Sequence, residues 1–554
     1  MTWKLDTPAL RAGALACLLA GSTACAQTGA DDGAPVVEAP AGPIAGQAAD
    51  GLRIFKGIPY ARPPIGDARW TPPQPMEPWQ GTLQAHDYGP SCVQRVRETT
   101  SIYASDITPV SEDCLSLNIW APEDADNAPV FVWIHGGALS AGSTREPLYD
   151  GARLAQDGII VVSINYRLGV LGYMAHPELS AESPDGVSGN YGLLDQIQAL
   201  RWIQDNIGAF GGDAGNVTIA GESAGGLSVM YLMAAPAARG LFSRAIAQSA
   251  YMISTPELKR PVHGAFAAEA VGTYIANQLG AANIAELRAM DAQAVVDGAL
   301  AAGYLTSGTI DGHVLPRQLV ETFDRGEQAD VPIIAGFNQG EIRTLTALAP
   351  AVPDSAEAYE SRIRELHGDM AEDFLQLYPG DDLQESIYET TRDALYSWTA
   401  ERLVRSQEAL GQPGYLYMFD HGYPAADERG LHAFHAAELP YMFGNTRRTP
   451  PYWPPLPDTP EEAAYADAMT GYWSSFARTG EPVADGAAAW PNYGQTRAYM
   501  HFAETPQAGE NVLPGMYEFV EELVCRRRVA GGQGWHWNVG LASPPVPARQ
   551  PDCG

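Results

Sequence analysis

Short runs of strand length, separated by polar, glycine- and proline-rich turns, recur along most of this chain. They are Ile54 to Tyr60, Val130 to Ile134, Ile159 to Ile164, Val217 to Ala220, Ala245 to Ala247, Val331 to Ala335 and Tyr415 to Phe419. Leu115 to Trp120 alternates apolar and polar residues, as a strand should. Between these runs, Asn190 to Ile207 repeats apolar residues at helical spacing (Leu193, Leu194, Ile197, Leu200, Ile203), and 254–300 and 355–412 are Ala/Glu/Leu-rich and read as helical. Apolar strands alternating with helices predict an α/β protein. Its mostly parallel central sheet should carry helices on both faces and large helical insertions. Residues 27–42, rich in Ala, Gly and Pro, are expected to be a flexible lead-in, leaving 43–554 as one domain with a C-terminal tail. In that tail Trp535-His536-Trp537 needs a surface to pack against.

One strand-to-helix junction carries chemistry. The run Val217 to Ala220 ends in Gly221-Glu222-Ser223-Ala224-Gly225, and the helix-compatible segment Leu227 to Met233 follows. Strand, Gly-x-Ser-x-Gly and helix in this order form the context of a nucleophile elbow, where a strained turn lifts the serine hydroxyl clear of the sheet. Gly221 and Gly225 lack Cβ atoms, so strand and helix can close around Ser223. A serine hydroxyl needs an adjacent base, an acid that orients the base, and preplaced donors for the oxyanion. In this fold class the order is serine, acid, histidine. Downstream, Val331 to Ala335 leads into the loop Gly336 to Glu341, which puts Glu341 at the carboxyl end of a strand, where ligands and catalytic groups collect. His435 follows the Tyr415 to Phe419 strand by one loop. His432 and His435 would suit a metal pair on a helix, but no third ligand stands near, and no cofactor is implied.

Charge and cysteines narrow the setting. A net charge of -32 over 554 residues argues against nucleic acid and anionic membrane surfaces as partners. No stretch is long and apolar enough to be read as a membrane span. Lys4 and Arg11 flank a short polar start, Ala12 to Ala24 is a small-residue apolar run, and Ala24-Cys25-Ala26 offers a cleavage site. Residues 1–26 therefore read as a signal peptide for a secreted or periplasmic protein. Cys25 also permits a lipid anchor, although Ser22 stands where a lipoprotein signal prefers leucine. Export permits disulfides, and Cys92, Cys114, Cys525 and Cys553 allow three pairings.

Five motifs now stand in order: Ser111 to Asn118, His135-Gly136-Gly137-Ala138, Gly221 to Gly225, Gly336 to Glu341, and His435 to Gly444. Together they resemble the type-B carboxylesterase family, which includes the cholinesterases, from about residue 43 to 520. The resemblance implies an α/β-hydrolase fold. It implies Ser223 as nucleophile, His435 as base and acid, Glu341 as orienting acid, and Gly137, Ala138 and Ala224 as backbone donors to the oxyanion. Glu222 and Glu438 fall where the family keeps buried acids beside the triad, and Ser249 where it keeps a supporting hydroxyl. A Cys92–Cys114 disulfide is also implied, which leaves Cys525 and Cys553 to pair by arithmetic.

Three departures stand out. Ala138 replaces a frequent glycine, Gly340-Glu341-Ile342 replaces Asp-Glu-Gly, and the Cys92–Cys114 loop holds Tyr103 but no Trp, the platform on which cholinesterases hold choline. The reading is a serine carboxylesterase acting on a small-molecule ester through an acyl-enzyme. A triacylglycerol lipase would share the triad, and a non-catalytic adhesion protein would share the fold. Arg95, Arg97, Arg343, Arg447 and Arg448 lie near the site motifs and are either surface balance or a funnel for carboxylated acyl groups. Some bacterial relatives that cleave the tricarballylic esters of fumonisins look similar. Choline esters are expected to be turned over poorly.

Overall fold

The computed structural model describes residues 34–95, 100–535, 540–551 and 553. The expected signal peptide with Cys25, and Arg97, His536 and Trp537, lie outside them. Eleven strands form the central sheet: β1 (Gln47–Ala49), β2 (Leu52–Pro59), β3 (Ser116–Pro122), β4 (Ala128–Ile134), β5 (Ile160–Ile164), β6 (Gly212–Glu222), β7 (Arg244–Gln248), β8 (Ile333–Asn338), β9 (Gly414–Phe419), β10 (Ala498–Phe502) and β11 (Pro506–Glu510). Their order is β11-β10-β9-β8-β7-β6-β4-β5-β3-β2-β1. All pairings from β5 across to β10 are parallel. The flanking β1–β2, β2–β3, β3–β5 and β10–β11 pairings are antiparallel.

The apolar runs are continuous because the parallel strands are covered on both faces. In β4, Val130, Val132 and Ile134 enter one core while Phe131 and Trp133 enter the other. β7 and β8 divide in the same way, with Ala245, Ala247, Ile333 and Ala335 on the first face and Ile246 and Ile334 on the second. Helix Tyr191–Asn206 covers the first face through Leu193, Ile197, Leu200 and Ile203. Helix Pro460–Thr479 covers the second through Met469, Tyr472, Trp473 and Phe476. Each such side chain removed from water contributes about 1.5–3 kcal/mol before entropy is counted.

The helical insertions are real, with shifted bounds. Residues 254–267 hold no helix, Pro256 and Pro261 falling in that stretch, and Ala268–Gln278, Ile284–Ala289 and Ala292–Ala301 follow. These three build a third core of their own, with Ile275, Leu287 and Val295 packed with Trp70 and Leu171. The second insertion runs through Ala356–His367, Ala371–Leu377, Leu383–Arg392, a π-helical turn at Asp393–Ser397, and Trp398–Ala409.

The flexible lead-in expected over 27–42 does not hold for residues 36–42. Val36–Ala39 pairs antiparallel with Gly42–Ala45, and Val37 and Ile44 are buried. The Ala41 amide donates to Asn206 Oδ1 (2.8 Å), fixing the turn. Apolar positions diluted by Ala, Gly and Pro concealed this alternation. Both disulfides, Cys92–Cys114 and Cys525–Cys553, are formed. Trp535 finds its partner surface: its Nε1 donates to the Met252 carbonyl (3.1 Å) and its ring meets His263 edge-on.

Candidate active site

β6 stops at Glu222, and Ser223 caps helix Ala224–Ala234 with φ 57° and ψ -121°. A non-glycine residue at that φ is strained, and packing on both sides holds it there. A Cβ on Gly225 would lie 2.1 Å from the Ile134 carbonyl oxygen, and one on Gly221 2.5 Å from the Gly225 backbone. The helix therefore sits directly on the end of β4. The following loop, His135 to Ala138, passes equally close, since a Cβ on Gly136 would meet the Glu222 carbonyl at 2.7 Å. Beyond it Gly137 (φ 104°) and Ala138 (φ 56°) turn in the left-handed region. The Gly137 and Ala138 amides donate to no backbone carbonyl among the described residues. Ala224, first residue of its helix, has no intrahelical acceptor for its own amide. Ala138 thus adopts the backbone of a glycine position while keeping its N–H.

Glu341, fully buried, begins the short turn Glu341–Arg343 after β8. Its Oε1 accepts from the Asn338 amide (2.9 Å), and its Oε2 accepts from His435 Nδ1. Gly340 bridges to Phe434, and its amide donates to the Ala433 carbonyl (2.8 Å), which binds the two loops together. His435 Nε2 lies 3.0 Å from Glu222 Oε1. Burial disfavours charge on this ring, yet Glu222 and Glu341, with Glu438 behind them, outweigh it and raise the His435 pKa to about 9. Nδ1 makes the hydrogen bond to Glu341, while Glu222 Oε1 approaches Nε2 without hydrogen-bond geometry and acts on the ring through its charge.

Glu438 accepts from Asn338 Nδ2 (2.6 Å) and Gln248 Nε2 (2.9 Å), and Trp473 Nε1 donates to Gln248 Oε1 (3.0 Å). Burial, opposed by the Asn338 amide and aided by the charge of Glu341, raises the Glu438 pKa to about 6. Ser249 is buried at φ 44°, its amide donating to the Gly336 carbonyl, and its Oγ has no partner among the described residues. His432 sits apart from His435. Its ring bonds Asp420 (3.0 Å) and Asp427 (2.9 Å), and no group of residues suited to a metal occurs among the described residues.

Ser223, His435, Glu222, Gly137 and Ala138 share a cavity of about 680 Å³. Its aromatic wall comprises Tyr103, Tyr149, Tyr251, Tyr304, Tyr396 and Trp453; Leu300, Leu305, Leu345 and Leu348 add an aliphatic side. Leu305 is 80% exposed and marks the mouth. Tyr396 stands in the π-helical turn with its ring 5.4 Å from that of His435. Apart from Tyr103, sequence reasoning missed this wall. Tyr396 and Leu300 lie in stretches whose composition announces only helix, so no local signal marked them.

Among the described lining residues there is no lysine or arginine. Arg343 is held by Glu385 (2.9 and 2.8 Å), Arg448 by Asp150 (2.6 Å) and Arg447 by Asp458, while Arg95 is exposed. None of these four lines the cavity, and three of them already face a carboxylate.

The sequence profile described as "Carboxylesterase family" matches residues 33–520. The chain is 35% identical over 517 residues to the fumonisin B1 esterase of Sphingopyxis macrogoltabida, covering 89% of this chain and 91% of that one. It is 35% identical over 465 residues to the para-nitrobenzyl esterase of Bacillus subtilis, covering 82% and 91%. Among solved structures, a PNB esterase superposes with a TM-score of 0.76 at 32% identity, over 87% of this chain and 99% of the other. A Geobacillus stearothermophilus carboxylesterase does so with a TM-score of 0.73 at 32% identity, over 87% and 99%.

Proposed function

We propose, on the premise that this chain belongs to the carboxylesterase family and hydrolyses carboxylic esters, that Ser223, His435 and Glu341 carry the reaction. The observation that carries this reading is the His435–Glu341 bond beside a strained serine on one shared cavity. Ser223 Oγ attacks the ester carbonyl while His435 Nε2 takes its proton. Nε2 lies 3.0 Å from Glu222 Oε1, whose negative charge favours the proton that the ring takes up in this step. Glu341 holds Nδ1–H and stabilises the imidazolium as it forms. The amides of Gly137, Ala138 and Ala224 receive the oxyanion. His435 then protonates the leaving alkoxide, and water, deprotonated by the same ring, releases the acid from Ser223.

The preferred substrates are neutral esters with bulky apolar or aromatic groups. An aromatic and aliphatic wall rewards apolar area and, among the described lining residues, offers a carboxylated acyl chain no cation. The relative named a fumonisin B1 esterase supports the polycarboxylate alternative, but the pairing of Arg343, Arg447 and Arg448 weighs against it here. The test is kcat/KM for a neutral aryl ester, a tricarballylate ester and acetylcholine at low and high salt. The neutral ester should lead, and a salt-sensitive lead for the tricarballylate ester would overturn this preference.

Two disulfides support residence outside the reducing cytosol, and no helix among the described residues is long and apolar enough to cross a membrane. N-terminal sequencing of exported protein should give a start near Gln27, and an acylated Cys25 would show the anchor instead.

A further inference from the structure

The loop closed by Cys92–Cys114 does more than rim the cavity. Ser91 Oγ bonds Ser143 Oγ (2.7 Å), and Gln94 grips Gly142 twice, its Nε2 donating to the carbonyl (2.9 Å) and its Oε1 accepting from the amide (2.8 Å). These contacts hold the end of the loop that carries Gly137 and Ala138. Across the cavity, the Tyr103 hydroxyl donates to the His435 carbonyl (2.9 Å) and bonds Thr344 Oγ1 (2.7 Å). A phenol has one proton. Since it goes to the carbonyl, Thr344 must donate to Tyr103, which gives the directed chain Thr344 O–H to Tyr103 O–H to the His435 carbonyl.

Both ends of that chain belong to the triad's supports. Thr344 closes the turn that Glu341 begins, its amide donating to the Ile342 carbonyl. The peptide leaving His435 enters Ala436 at φ 68°, a conformation an alanine adopts only when its surroundings enforce it. The carbonyl that Tyr103 grips is the one whose orientation sets this turn. The Tyr103 ring is itself held edge-on to Trp453 at 5.9 Å, and Trp453 packs on Phe434 at 4.8 Å.

The geometry points to Tyr103 as a positioning residue for ester hydrolysis, its hydroxyl bracing the acid-bearing turn against the peptide of the base. This rests on the assignment of His435 as the base. Tyr103 touches no reacting atom in this account; it fixes the direction from which the imidazole meets Glu341 and Ser223. Misplacement by a fraction of an ångström is costly at such a point.

The test uses the whole protein and p-nitrophenyl acetate, with Tyr103→Phe, Thr344→Val, the double variant, and His435→Ala as reference. Tyr103→Phe keeps the ring on the cavity wall and removes only the hydroxyl. Its kcat should fall roughly tenfold with KM within about twofold, the loss of one oriented hydrogen bond expressed in the transition state. The alkaline-rising limb of kcat/KM should move to lower pH, because a looser imidazole gains less from Glu222 and Glu341. Thr344→Val should cost less, and the double variant should be no worse than Tyr103→Phe. Normal kcat in Tyr103→Phe beside an inactive His435→Ala would overturn the brace alone, as would a rise confined to KM or a fall confined to Tm. Retained activity in His435→Ala would instead remove the base assignment beneath it.

Discussion

On one side of the cavity the backbone does the positioning. At Gly225 the helix Ala224–Ala234, and at Gly136 the loop that follows β4, lie against β4 and Glu222 at distances that leave no room for a Cβ. On the other side, side chains reach across long chain separations: Glu341 to His435, Asn338 and Gln248 to Glu438, Tyr103 to His435. The first wall needs glycine at fixed spacing and is insensitive to what surrounds it. The second needs specific partners from several loops, and so has room to vary in pKa and in substrate.

The largest effects separate these roles. Ser223→Ala should lower kcat about 10⁴-fold or more, since the nucleophile itself is lost. Its Tm should move by no more than roughly 2 °C, because one hydroxyl at a half-buried turn contributes little to stability. Glu341→Gln should cost about 10³-fold in kcat, through loss of the charge that orients and stabilises the His435 imidazolium. If Glu222→Gln were as damaging as Glu341→Gln, the orienting acid would have been assigned to the wrong carboxylate.

Gly225→Ala tests the backbone wall. In an ordinary helix this change stabilises by about 0.5–1 kcal/mol. Here the new methyl would meet the Ile134 carbonyl at 2.1 Å, so stability should instead fall by roughly 1–3 kcal/mol, read from chemical denaturation. A gain in stability would mean that helix and strand do not approach as closely as described.

The side-chain wall is tested by pH. In the proposed mechanism only neutral His435 accepts the Ser223 proton, so kcat/KM should rise with pH as the ring deprotonates, with its midpoint drawn to the alkaline side by Glu222 and Glu341. Removing the Glu222 charge destabilises the imidazolium, lowers its pKa and moves the limb to lower pH, by about one unit for a close buried carboxylate. An unmoved limb in Glu222→Gln would show that Glu222 does not set this titration. The aromatic wall is tested by selectivity. Tyr396→Ala should alter kcat/KM by only about 10–200-fold between bulky and small acyl groups.

The same contrast governs what the sequence discloses. Ser223 is legible because strand, Gly-x-Ser-x-Gly and helix are contiguous, and the tight contacts are written in Gly221 and Gly225. Glu341 and His435 need chain order and family resemblance, since a lone acid or histidine after a strand is ordinary. Tyr396, Tyr251 and Leu305 are not legible at all. Tyr251 comes from the loop after β7 and Leu305 from the loop after helix Ala292–Ala301, where no periodicity reports a partner, and the π-helical turn that carries Tyr396 is a local rearrangement that periodicity does not mark. The Val36–Ala39 hairpin was hidden for a related reason, because its two anchoring residues, Val37 and Ile44, sit among Ala, Gly and Pro.

The proposed mechanism requires that an acyl group pass through Ser223. Rapid quenching during turnover of a p-nitrophenyl ester, followed by peptide mass spectrometry, tests it most directly. A single acyl adduct is expected on the peptide containing Ser223, formed at the rate of the p-nitrophenol burst and absent in Ser223→Ala. An adduct on another residue, or a burst that persists in Ser223→Ala, would contradict it.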